Sequence, residues 1–211
     1  MNANKKLKAA EVVIFNNEHF NDKNMNRVGS AKDTELLQKT FSKLKCDVKT
    51  IKDATLKEIR NTMNKLEKKN YEDRSALVLV ILTHGQDYDL ISEIIDPILR
   101  NGTLNDKPKI LFIQACKGEK EVDILEAQSI PSLPSDVLMC FSTFEGFVSY
   151  RNEDGTHFIK ALCETLRSRP SVDIQTNMEH VRILVKNSTR GAQVPSISST
   201  MSSDYVFGDY V

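Results

Sequence analysis

The chain has 211 residues, 40% of them apolar, which suits one domain with a substantial core. Lysine plus arginine equals aspartate plus glutamate at 29 each, a balance that argues against broad electrostatic binding of nucleic acid and against a polybasic membrane anchor. No stretch reaches the roughly 18 consecutive apolar residues of a membrane span, and the first apolar run, 12–15, is too short for a signal peptide and follows a lysine-rich start.

Short apolar runs alternate with helical spacing along the chain. Glu11–Asn16 (EVVIFN) reads as a strand. Asp33–Leu44 carries Leu36, Leu37, Phe41 and Leu44 at helical intervals. Asp47–Ile51 is a short strand, and Leu56–Lys69 a charged amphipathic helix with Leu56, Ile59, Met63 and Leu66 on one stripe. Ala76–Leu82 (ALVLVIL) is uninterrupted and β-branched, as expected of a strand covered on both faces. Leu90–Leu99 reads as a helix that Pro97 kinks or ends. Lys109–Gln114 (KILFIQ) is a second buried strand, 118–136 a loop or linker, and Val137–Ser142 a strand. Phe158–Leu166 and Met178–Lys186 have helical spacing, and Pro195–Ser199 is a closing strand at a sheet edge. This order predicts an α/β fold, a mostly parallel sheet with helices on both faces. In such sheets the working site lies at the carboxyl ends of the strands.

The four cysteines, Cys46, Cys116, Cys140 and Cys163, lack the close pairing of a zinc site, so neither a metal nor another cofactor is expected. They imply a cytoplasmic protein with reduced thiols, three of them acting as small core residues. The fourth is different. Ala76–Leu82 runs into Thr83-His84-Gly85, and Lys109–Gln114 runs into Ala115-Cys116-Lys117-Gly118. A thiol and an imidazole thus leave the same edge of neighbouring strands, an arrangement that suits a nucleophile and its base. Glycine beside each permits close approach of a substrate backbone, and the N–H groups of Gly85 and Cys116 are suited to hold an oxyanion. Asn16-Asn17-Glu18-His19, after the first strand, is not a glycine-rich phosphate loop, which removes support for a nucleotide-binding domain.

QACKG at 114–118 resembles the cysteine signature of the caspase family, with Lys117 where that signature has Arg, Gln or Gly. THG at 83–85, IFNNEHF at 14–20, MNRVGS at 25–30, PKILFIQACKG at 108–118, SYRNEDGTHFI at 149–159 and QVPSIS at 193–198 resemble other family segments in the same order. The resemblance covers about nine-tenths of the chain. It implies the caspase-like fold, with a six-stranded sheet, and cysteine-protease chemistry on proteins cut after aspartate. Carried over by position, Cys116 is the nucleophile, His84 the acid and base, and Gly85 an oxyanion donor. The Met25 carbonyl orients the histidine, and Arg27, Gln114, Ser149 and Arg151 form the pocket for the substrate aspartate. Two guanidiniums and an amide fit a small planar anion, whereas either arginine alone reads as a solvated surface charge.

The resemblance further implies a short segment 1–10, a large-subunit-like region 11–118, a linker 119–129 and a small-subunit-like region 130–211. Cleavage of a zymogen is then expected after Asp123, with bulky Ile124 following where small residues are favoured. No adaptor-binding domain precedes Glu11, which is the pattern of an executioner-type protease cleaved by others in apoptosis. The closing strand implies a dimer, with itself or with another caspase, and Ser198, Ser199 and Ser202 make this edge polar enough to favour a hetero-partner. Shortened loops around the cleft point to the alternative, a catalytically impaired homologue that regulates an active one. His84 lies 32 positions before Cys116, against roughly 50 in the family, so a hairpin after the histidine is missing. The 178–195 segment, which in the family bears a loop over the outer substrate pockets, is short as well. Val148 and His157 stand where the family has aromatics, which implies a less aromatic second-position pocket and altered preference upstream of the aspartate.

Overall fold

Uninterrupted apolar runs, six residues at 77–82 and four at 110–113, cannot be buried by a helix stripe alone; they need cover above and below. Leu77–Leu82 (β3) and Lys109–Gln114 (β4) are accordingly buried at every position and pair in parallel at the centre of a six-stranded sheet. The computed structural model describes residues 6–84, 88–115, 135–143 and 151–211, and of 88–92 and 151–152 the backbone alone. Around β3 and β4 lie β1 (Glu11–Asn16), β2 (Asp47–Lys52), β5 (Val137–Phe141) and β8 (Ser196–Ser199), in the order β2-β1-β3-β4-β5-β8. All pairings are parallel except β5 with β8. The α/β class, the six strands and the edge position of the last strand therefore match the sequence expectation.

The period-2 alternation of strand side chains sorts the core into two layers. Val12, Ile14, Val78, Val80, Ile110, Phe112 and Cys140 face α1 (Ser30–Lys43), α4 (His157–Ser168) and α5 (Ile174–Ser188). Val13, Phe15, Leu77, Leu79, Ile81, Leu111 and Ile113 face α2 (Leu56–Lys68) and α3 (Tyr88–Leu99). Cys46 and Cys163 are buried in the first layer with Cys140. Burial pushes the thiols of Cys46 and Cys163 up to about 12 and that of Cys140 higher still, so all three are inert core residues.

Helix ends depart from the apolar spacing where polar residues set them. α1 starts at Ser30, three residues before the expected Asp33, because Gly29 at φ +84° ends the preceding loop in a conformation that glycine tolerates. α5 starts at Ile174, capped by Asp173, whose side chain accepts from the Thr176 amide at 3.0 Å. α2 begins with a capping box between Thr55 and Glu58. α3 continues past Pro97 to Leu99, so the proline neither starts nor stops it. Two strands of two residues, β6 (Arg151–Asn152) and β7 (Gly155–Thr156), form a hairpin absent from the sequence reading; strands this short have no period to detect.

Phe112 lies at the centre of the first layer, fully buried, with the Phe41 ring 6.4 Å away. Phe112→Ala is expected to cost about 3–5 kcal/mol, measured as the shift in unfolding free energy by urea titration at constant m-value.

Candidate active site

Five parallel strands end at one rim, and the rim collects the polar residues that the core excludes. Asn16 closes β1, Leu82 and Gln114 are register partners at the ends of β3 and β4, and Thr83 N–H donates to the Gln114 carbonyl at 3.1 Å. His84 follows directly. Its Nε2 lies 2.6 Å from the Met25 carbonyl oxygen. A carbonyl only accepts, so Nε2 carries the hydrogen and Nδ1 holds the lone pair of the neutral ring. The expected orientation of the histidine by Met25 is thus present. The Phe20 ring packs on the imidazole with centroids 4.9 Å apart and planes tilted by 59°.

Arg27 is not a solvated surface charge: it is 1% exposed. Its Nη1 donates to the Asn17 carbonyl at 3.2 Å and to Ser30 Oγ at 2.7 Å, and Ser30 in turn donates to Asn16 Oδ1 at 2.5 Å. The guanidinium is therefore locked between the end of β1 and the start of α1. Gln114 is buried as well, in the adjoining strand end. Sequence reasoning passed over Ser30 because the apolar spacing starts the helix at Asp33 and leaves Ser30 in the loop before it.

Cys116, Gly85, Ser149 and Asp123 lie outside the described residues, as do Val148 and the expected linker 119–129; Arg151 is described as backbone in β6. Ala115, next to Cys116, accepts a hydrogen bond at its carbonyl from Ser142 Oγ at 3.2 Å, and Gln193 Nε2 donates to the Ser142 carbonyl at 2.7 Å. The strand end leading to the cysteine is tied in this way to the segment before β8. His157 sits at the start of α4 with its Nδ1 3.0 Å from Ser188 Oγ. Three residues, 85–87, join His84 to α3.

The β6–β7 hairpin is anchored by a carboxylate. Asp33, on α1 and 1% exposed, accepts at Oδ1 from the Thr156 amide at 2.9 Å. Gly155, at φ +104°, passes so close that a Cβ there would collide with Oδ1. Burial raises the Asp33 carboxyl to about 6, against the opposing pull of the Thr156 hydrogen bonds and of the Arg27 and Lys160 charges.

The chain matches the family profile described as the caspase domain over residues 10–207. It belongs to the caspase family. Caspase-3 of Xenopus laevis is 30% identical, over 92% of this chain and 79% of that protein. Caspase-3 of Bos taurus is 32% identical over 74% of this chain and 64% of its own length. Caspase-7 of Gallus gallus is 25% identical over 95% and 77%. Among solved structures, the crystal structure of Caspase-1 from Spodoptera frugiperda superposes with a TM-score of 0.81 at 29% identity, covering 97% of this chain and 92% of that one. The caspase fold is therefore shared across the whole sheet, and membership puts the chain in the cysteine-protease class.

Because the Asp33 carboxyl binds its proton more tightly folded than unfolded, its ionisation weakens the fold above about pH 6, and protonation relieves that cost as pH falls towards 4. Asp33→Asn keeps the acceptor but cannot ionise. Its stability relative to the parent chain is expected to be greater at pH 7.5 than at pH 4.5, by about 2 kcal/mol, in parallel denaturant titrations; an unchanged difference between the two pH values would show that the carboxyl titrates normally.

Proposed function

We infer that this caspase-family chain is an endopeptidase that cuts protein substrates after aspartate. The observation that carries the reading is the buried Arg27 guanidinium, two residues from the carbonyl that holds His84. A cation fixed at a strand-end rim beside an imidazole supports binding of a substrate carboxylate next to a reacting bond. In this reading Arg27, Gln114, Ser149 and Arg151 receive the aspartate. His84 Nδ1 takes the Cys116 proton, and Sγ bonds to the carbonyl carbon. The Gly85 and Cys116 N–H groups hold the oxyanion. The C–N bond then breaks, His84 returns the proton to the leaving amine, and water hydrolyses the thioester.

The same reading divides the chain into 1–10, a large-subunit-like 11–118, a linker 119–129 and a small-subunit-like 130–211. The linker is cut after Asp123, and the protein acts in the cytoplasm as an executioner-type protease in apoptosis. It pairs through β8 with its own kind or with another caspase. Ser198 and Ser199 are exposed on that terminal strand, and support a hetero-partner over a tight homodimer.

One observation favours a second reading. Only residues 85–87 separate His84 from α3, which leaves no length for the family's hairpin after the histidine. A protein so shortened would keep the fold and regulate an active caspase by pairing with it.

The purified chain is expected to release the reporter from short peptides ending in aspartate, while Cys116→Ala does not. Asp123→Ala is expected to remain a single band on a gel where the parent chain is split. Silence of the parent chain, with faster cleavage on adding an active relative, would transfer the conclusion to the regulator.

A further inference from the structure

An imidazole that takes a proton from a thiol and hands it to a leaving amine must hold its plane as well as its position. The hydrogen bond from Nε2 to the Met25 carbonyl fixes one atom of the His84 ring, and one such contact does not by itself set a plane. The Phe20 ring, 4.9 Å from the imidazole centroid and tilted by 59°, supplies a second constraint on a different side. We propose that Phe20 is a positioning residue for His84, and that the 17–27 loop is a one-piece cradle whose carbonyl and aromatic ring together set the base.

The loop is built to hold both parts in fixed relation. The Arg27 amide donates to the Glu18 carbonyl at 2.8 Å, pinching the loop closed. The Phe20 amide donates to Asn26 Oδ1 at 2.9 Å, so the ring-bearing residue is tied to the neighbour of Met25. On the other flank the Asp53 carboxylate accepts from the amides of Glu18 and His19 at 2.7 and 2.9 Å and from His19 Nδ1 at 2.9 Å. Asn17 Oδ1 accepts from the Ala54 amide at 3.1 Å. Phe20 is thus clamped on both sides along the main chain, yet its side chain is only half-buried and adds little to either core layer. A large aromatic spent there, in a loop held by these hydrogen bonds, is accounted for by the ring it touches. The proposal rests on His84 being the base, and it explains how an imidazole with three residues to the next helix is kept in place.

The test uses the full chain with 13C-labelled histidine, in parent, Phe20→Leu and Phe20→Tyr forms, the His84 signal being assigned with a His84→Asn sample. An aromatic face shifts the ring protons of its neighbour, so Phe20→Leu is expected to move the His84 signal, leaving His157 and His180 in place, and Phe20→Tyr to keep it. With peptides ending in aspartate, Phe20→Leu is expected to lower kcat about tenfold or more with KM within twofold. Alkylation of Cys116 by iodoacetamide near neutral pH is expected to slow by a similar factor, with Phe20→Tyr restoring both rates. The proposal is overturned if Phe20→Leu leaves the His84 signal unmoved, if kcat and alkylation stay within twofold, or if Phe20→Tyr fails as badly as Phe20→Leu. Alkylation needs no peptide specificity. A parent chain that cuts no aspartyl peptide, but whose Cys116 alkylates more slowly in Phe20→Leu, would defeat the protease reading and leave the cradle standing.

Discussion

The structure depends on the burial of β3 and β4 on both faces. Because every side chain of these strands meets a helix layer, no polar group fits along their length without an internal partner. Chemistry is driven to the strand ends, where the ladder stops and backbone turns outward. The parallel register brings the ends of β1, β3 and β4 level, so Asn16, Leu82 and Gln114 form one rim. From it spring the Asn16–Ser30–Arg27 network and His84. The site follows from the layer architecture, and the rim needs no element added to the sheet.

At that rim charge is handled in two ways. Arg27 is desolvated, and its Nη1 donates to a carbonyl and a hydroxyl. Asp33 lies one helical turn further on and shares its acceptor with the hairpin, where burial makes ionisation costly. A buried guanidinium and a carboxylate reluctant to ionise thus stand at the same helix start, and the Arg27 charge is one of the influences that oppose the rise of the Asp33 carboxyl.

Much of this was legible beforehand. Uninterrupted apolar runs marked β3 and β4, and their successors Thr83-His84 and Ala115-Cys116 marked the rim. Arg27 was legible as a family position but not as a buried group, because its partners come from Asn17 and Ser30 and their meeting depends on how α1 leaves the loop. Phe20 and His84 are far apart in sequence, and no local pattern links an aromatic in one loop to a histidine in another. The β6–β7 hairpin was invisible for a different reason: with two residues per strand it is fixed by Asp33 and Gly155, a tertiary contact, and not by any propensity of its own.

The two borders of the sheet are unlike. β2 exposes the charged side chains of Asp47, Lys49 and Lys52 across its two faces, a charged margin that discourages any further strand from docking. β8, at the opposite border, offers serines with neither charge nor grease. Strand addition is therefore open on one flank and opposed on the other. A copy joining through β8 by a two-fold axis uses up the permissive flank of both molecules at once, so assembly terminates at a pair and cannot propagate into a fibre.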